Sequence, residues 1–238
     1  MTALLKGELI KAMTTRTVFA YAALGVAVAI ANVLIVTLSK DLVTPADKRE
    51  AIAGLPMLLL LFGLVGAAGE YRHRTAAPAA LAAGGRRGRL LLARAAAYAL
   101  TGLVLGTLTA AVSLAVGVPL LMGEPGPGLG AGTIAAVAAG SVAGAALCAM
   151  LGVAAGALVR SQVVGVVGAL VLMFVATPLL LAVSETAAAV TPFGAAVRLA
   201  GDPTAHTLSW AGAGLVLAAW TGAWLVAAVL VERRRDLA

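Results

Sequence analysis

The sequence predicts an all-α integral membrane protein that crosses the bilayer six times and forms a single domain over residues 1–238. Hydrophobic residues make up 62% of the chain and charged residues only 11%, and the mean hydropathy is +1.04. A soluble domain carries roughly a quarter charged residues, so this apolar excess requires a hydrocarbon environment. The apolar residues also fall into six separate runs, each close to the length that spans a bilayer.

The six runs are rich in Ala, Leu, Val and Gly and contain no Asp, Glu, Lys, Arg or His. Charged residues, prolines or glycine-rich turns bound each run. Because lipid cannot satisfy backbone polar groups, only helices are plausible at this spacing. The first run is too long for the core of a signal peptide, so we interpret it as a retained span. The predicted spans are 18–38, 52–69, 95–121, 133–159, 163–183 and 210–231.

Lys and Arg are distributed unequally between alternate connections, with thirteen on one side and four on the other. Cytoplasmic connections are enriched in these residues, so the larger set is expected in the cytoplasm together with both termini. This topology accounts for the net charge of +7, and no nucleic-acid partner is expected. The connections expected outside are 39–51, 122–132 and 184–209.

The residues before the first span have a pattern typical of a short helix that lies in the cytoplasmic interface of the membrane. Four apolar residues share one helical face: Leu5, Leu9, Ala12 and Met13. Three polar residues lie elsewhere on the same helix: Glu8, Lys11 and Thr15. A frayed basic tail is the alternative interpretation of residues 2–16.

The fourth predicted span carries a small residue at every fourth position, which favours close helix packing in a membrane. These residues are Gly140, Gly144, Cys148, Gly152 and Gly156. The chain has 28 glycines, so chance alone produces some such spacing. The pattern leaves open whether the contacts lie within one chain or between chains. Cys148 is the only cysteine, which makes a disulfide within the chain impossible, and no metal-ligand spacing surrounds it.

The sequence predicts no catalytic residue and no metal site. It contains no Gly-Lys pair, and therefore no P-loop for nucleotide phosphates. The glycine-rich residues 123–132 lack the P-loop lysine and are expected outside. The absence of ionisable residues from the predicted spans disfavours proton-coupled transport. Any uphill transport is therefore expected to draw its energy from another subunit.

Residues 69–94 read GEYRHRT…GGRRGRLLLAR and resemble the permease subunits of type 2 ABC exporters, a family of bacterial transporters. That family has a glutamate and basic residues after the second span, then a short helix and a basic patch at the third span. The positions that match are Glu70, Arg72, Thr75, Arg86, Arg87 and Arg94, whereas Arg74 stands where the family usually has glycine. The general layout resembles the family over the whole chain.

The resemblance implies that two permease chains, identical or closely related, form the pathway in the bacterial cytoplasmic membrane. It also implies two separate ATPase chains that bind ATP and Mg²⁺, so no cofactor and no enzymatic activity are expected in this chain. A cytoplasmic coupling helix between spans two and three, over 76–83, would receive the movement of the ATPase. The expected coupling residues are Glu70, Tyr71, Arg72, His73, Arg74, Thr75, Arg86 and Arg87.

Other interpretations stay open at this point. The arginine cluster is also explained by topology and by contact with anionic lipid. A non-transporting assembly subunit and a sodium-coupled carrier that uses backbone carbonyls are further candidates. A lipid-modifying enzyme is disfavoured because the acids expected in the cytoplasm are few and scattered: Glu8, Glu70, Glu232 and Asp236. Drugs, antibiotic peptides, lipids and glycolipids all remain possible substrates.

Overall fold

The computed structural model describes residues 2–39, 44–73, 75, 87–201 and 208–234. These described residues form helices and connections, with no β-strand among them. Six helical stretches are long and apolar enough to cross a membrane. The prediction of a helical chain with six such stretches is therefore confirmed, and this architecture is that of a multi-pass membrane protein.

The helices are numbered here in chain order. A π-helical turn, Leu172–Ala176, joins α7 to α8, so that these three pieces form one candidate span, Gln162–Val183, called the fifth span below. The helices are α1 Thr2–Thr14, α2 Arg16–Ser39, α3 Pro45–Ile52, α4 Met57–Arg72, α5 Arg87–Met122, α6 Ala131–Val159, α7 Gln162–Val171, α8 Thr177–Val183, α9 Glu185–Ala189, α10 Pro192–Leu199 and α11 Trp210–Arg234.

The structure differs from the predicted second span, 52–69, because a helix break lies inside the apolar run. Helix α3 ends at Ile52 and α4 begins at Met57. Thr44 starts α3 with a reciprocal capping box to Asp47. Pro56 lacks a backbone N–H and restricts the residue before it, so a helix does not continue through this point. Hydropathy does not detect such a break.

The helix of the third span, α5, also begins earlier than the predicted span, 95–121. Helix α5 starts at Arg87 and reaches Met122. Residues 87–94 are Arg, Leu and Ala apart from Gly88, and Arg, Leu and Ala all favour helices. Their charge limits how far the helix enters lipid, but it does not end the helix.

Helix α6 lies at the centre of the bundle and packs against α4, α5 and α11. Glycines bring its backbone close to its neighbours. A Cβ atom added to Gly152 on α6 would lie 2.0 Å from the carbonyl oxygen of Leu60 on α4. A Cβ atom added to Gly63 on α4 would lie 2.0 Å from the carbonyl oxygen of Ala149. Helices α4 and α6 therefore meet backbone to backbone, with no room for a side chain between them.

The connection after the fifth span folds back onto the bundle as two short helices, α9 and α10. Thr191 caps α10 by accepting a hydrogen bond from the backbone N–H of Gly194. Phe193 and Leu199 on α10 are buried in a cluster with residues of α4, α6 and α11. The apolar residues of 184–201 supply this packing.

Candidate functional site

Helix α1, Thr2–Thr14, lies within the residues where the sequence predicts a short helix. Its buried residues are Glu8 and Ala12, and the helix lies against α5. Leu5 and Leu9 are only half-buried, and Met13 is exposed. The side chain of Glu8 instead faces α5, which presents a positive charge to it.

That charge belongs to Arg94, which is only 4% exposed. Its Nε donates to Oε2 of Glu8 at 3.0 Å, and its Nη2 donates to Oε2 of Glu70 on α4. Lys11 Nζ donates to Oε1 of Glu8 at 2.8 Å and also to Oε1 of Glu70. These four residues, the Glu8–Arg94 cluster, alternate two carboxylates with two cations. Such pairing offsets the cost of burying the charges.

The electrostatic balance at Glu8 is set by burial and by its two cationic partners. Burial alone would raise the pKa of this carboxyl group. The charge of Arg94 and the hydrogen bonds from Lys11 and Arg94 act in the opposite direction and hold the pKa below its ordinary value of 4.5. Glu8 is therefore ionised at neutral pH, which is the form that its partners require.

A second group, the Tyr71–Glu232 cluster, joins the end of α4 to α11 and to the end of α6. The hydroxyl of Tyr71 donates to Oε1 of Glu232, and Arg160 Nη2 donates to the same oxygen at 2.8 Å. The guanidinium carbon of Arg160 lies 4.9 Å from the centre of the Tyr71 ring, within the range of a cation–π interaction. Glu232 is buried, so its hydrogen bonds with Tyr71 and Arg160 are largely shielded from solvent.

Arg160 reaches this position through an uncommon backbone conformation. It follows α6 with a φ angle of 55° and donates its N–H to the carbonyl oxygen of Gly156. This left-handed conformation ends the helix, and it is usually adopted by glycine. Within the described part of the chain, the buried Nε of Arg160 has no hydrogen-bond partner.

The two clusters meet at adjacent residues in the last turn of α4. Because successive residues of a helix point about 100° apart, Glu70 and Tyr71 face different neighbours. Glu70 contacts α1 and α5, whereas Tyr71 contacts α11 and the junction of α6 with α7. We call this part of the bundle the charged end. Beyond α4, the N–H of Thr75 donates back to the carbonyl oxygen of Glu70 at 2.9 Å, which turns the chain.

The other expected coupling residues lie around this turn. Arg72, His73 and Thr75 are exposed, and Arg87 opens α5 in a half-buried position. Arg74, Arg86 and the expected short helix over 76–83 lie outside the described residues.

Sequence reasoning did not identify Glu8, Lys11, Arg160 and Glu232 as partners of this site. The available signal was the scarcity of acids on the strongly basic side of the chain. Glu8, Glu70 and Glu232 are three of the four acids assigned to that side. In the structure, each of these three carboxylates pairs with at least one cation.

The predicted glycines of span four make contacts inside the chain. A Cβ atom on Gly156 would lie 2.6 Å from the carbonyl oxygen of Leu64, and one on Gly140 would lie 1.8 Å from that of Leu199. Gly144 approaches Pro56, with 3.3 Å from its added Cβ to the proline ring. Together with the Gly152 contact described above, these positions pack α6 against α4 and α10.

Comparison with protein-family models finds no match, and comparison with curated proteins finds none either. The function proposed for this chain therefore rests on its own residues, on the contacts they make and on the resemblance carried by residues 69–94.

Proposed function

We propose that this chain is the membrane-spanning permease subunit of a type 2 ABC exporter in a bacterial cytoplasmic membrane. Two such chains form the pathway as a homo- or heterodimer, and separate ATPase chains bind at the charged end. Both termini and the charged end then face the cytoplasm, in accord with the distribution of Lys and Arg. Helix α1 lies along the membrane interface, with Leu5, Leu9 and Met13 toward lipid.

The observation that carries this proposal is the double attachment of the end of α4. Glu70 and Tyr71, which are the first two residues that the family resemblance assigns to coupling, hold this end from two sides. A movement applied to 74–86 by a partner reaches α4 at a point that is fixed to α1, α5, α6 and α11. A loosely attached end would absorb the same movement locally.

The movement then has a route into the rest of the bundle. Helix α4 contacts α6 backbone to backbone through Gly63 and Gly152. Interiors packed in this way have little free volume and transmit displacements instead of absorbing them. A shift of α4 along its axis is therefore expected to move α6, the central helix, as well.

The location of the charged residues favours a separate subunit as the source of energy for transport. The ion pairs of the charged end join α1, the last turn of α4, the early part of α5, the residue after α6 and the end of α11. Proton-coupled carriers instead place ionisable groups near the middle of the membrane. In the proposed complex, ATP and Mg²⁺ are bound by the partner chain.

Purification of the tagged chain from its native membranes in a mild detergent tests this proposal. A P-loop ATPase is expected to co-purify, with two permease chains and two ATPase chains per particle. Arg72→Ala is expected to weaken this association or the coupled ATPase activity, because Arg72 is exposed beside the turn. Arg49→Ala, in the helix that the charge count places on the opposite side, is the matched control and should change neither. Particles that contain no ATPase would contradict the proposal.

A further inference from the structure

A cavity of about 470 Å³ separates the fifth span from the rest of the bundle. Its walls come from α4, α6, α7, α8, α10 and α11, and nearly all lining side chains are apolar. Pockets that bind small molecules have volumes of roughly 300–1,000 Å³. An apolar cavity of roughly 150 Å³ takes up one benzene molecule. This cleft therefore has room for a hydrocarbon of on the order of a dozen carbons or more.

Besides the indole of Trp224, three polar side chains line the cleft, and all three are already engaged with the backbone. The hydroxyl of Thr177 donates to the carbonyl oxygen of Leu172 at 2.8 Å, and that of Thr191 donates to Ala188 at 2.7 Å. The indole N–H of Trp220 donates to the carbonyl oxygen of Val190 at 2.9 Å. A polar ligand would lose its hydration without recovering these hydrogen bonds, so the lining favours a hydrocarbon.

The cleft runs from the core to the most exposed span of the protein. Leu64, on its floor, is 2% exposed, whereas Val164, on its wall, is 63% exposed. Across the apolar window of the fifth span only 6% is buried, so in a bilayer its outer face contacts lipid. The mouth of the cleft therefore opens where acyl chains are the surrounding solvent.

The helix that forms the wall is locally irregular. The π-helical turn Leu172–Ala176 is followed directly by Thr177 and Pro178, and Pro178 lacks a backbone donor. Interruptions of this kind in a helix frequently accompany functional sites. The irregular turn lies beside the cleft, which Leu172, Ala176 and Thr177 line.

From these observations we propose that the cleft holds one acyl chain of a membrane phospholipid, inserted between the fifth span and α4, α6 and α11. This inference does not depend on the proposed transport function. Gly168 offers a way to test it, because this glycine lines the cleft and a Cβ atom added there meets nothing within 4 Å. Gly168→Leu would fill the cleft without a backbone clash.

The protein would be placed in nanodiscs of phosphatidylethanolamine and phosphatidylglycerol. A trace of phosphatidylethanolamine would carry a diazirine near the end of one acyl chain. After irradiation, peptide mapping is expected to find adducts on Leu60 and Leu151, which line the cleft and are buried from the outer surface. Gly168→Leu should reduce these adducts at least about fivefold. Adducts on the exposed Val163 should stay unchanged in the variant.

Gly222→Leu is the matched control, because Gly222 lies on a helix, is exposed and has open space around an added Cβ atom. This variant should keep the adducts on Leu151. Ala176→Leu, at another part of the cleft lining, is a second filling variant in case Gly168→Leu folds poorly. The proposal would be overturned if the wild type showed no adducts on Leu60 and Leu151. It would also be overturned if both filling variants were labelled there as strongly as the wild type. If a free diazirine alkane labelled these residues and the diazirine phospholipid did not, the assignment to phospholipid would be overturned.

Discussion

Helix α4 and the fifth span differ in how much of each the rest of the chain encloses. In the apolar window of the span that contains α4, 67% is buried, against 6% in the fifth span. Glycine contacts and two charged clusters fix α4, whereas cavities of about 470 and 260 Å³ border the fifth span. The bundle therefore combines a tightly packed α4–α6 core with one span whose packing depends on its surroundings. Substitutions in the core are expected to cost stability, and equivalent ones in the fifth span to be tolerated.

The largest effect is expected from Arg94→Met. This change removes the buried cation between Glu8 and Glu70 and leaves two carboxylates with only Lys11 as a partner. Breaking a buried pair in this way costs about 3–5 kcal/mol. Unfolding by SDS in mixed micelles would measure the loss. Lys11→Met, at the exposed side of the same cluster, should cost less than about 1 kcal/mol. Equal losses in the two variants would show that burial does not decide the strength of this cluster.

Gly152→Ala and Gly168→Ala place the same methyl group in the core and in the fifth span. At Gly152 the new atom would lie 2.0 Å from the carbonyl oxygen of Leu60, so α4 and α6 must separate. Overpacking of this kind costs about 1–3 kcal/mol. At Gly168 the methyl group enters open space and should stabilise the helix by up to about 1 kcal/mol. The same unfolding assay measures the stability of both variants. If Gly152→Ala lost less stability than Gly168→Ala, the conclusion that the core is packed more tightly than the fifth span would be wrong.

The smallest effect is the pH dependence contributed by Glu8. Its pKa is lower in the folded protein than the ordinary value of 4.5, so the ionised form stabilises the fold. This contribution is fully present above pH 4.5 and is lost as the pH falls through the lower, folded-state pKa. Glu8→Gln should therefore be less stable than the wild type at pH 7, and the difference should shrink below pH 4.5. A difference that grows on acidification would contradict the assigned direction.

The sequence was sufficient for the number and approximate place of the spans, because hydropathy depends on composition alone. It was insufficient for the break between α3 and α4, where Pro56 lies within a continuous apolar run. Glu70 and Arg94 both match the family resemblance, and the structure shows that they pair with each other. Lys11 and Glu232 were not assigned to the site because they are distant in the chain, and helix packing alone brings them to α4.

The left-handed backbone of Arg160 has a consequence for related sequences. Arginine adopts a positive φ at a cost of roughly 1–2 kcal/mol, a cost that glycine avoids. The contacts of its guanidinium with Glu232 and Tyr71 offset this cost, and we expect selection to retain arginine here for that reason. If Glu232 became neutral, that selection would weaken, and glycine or asparagine would become favourable at position 160. Positions 160 and 232 are therefore expected to change together among relatives of this protein.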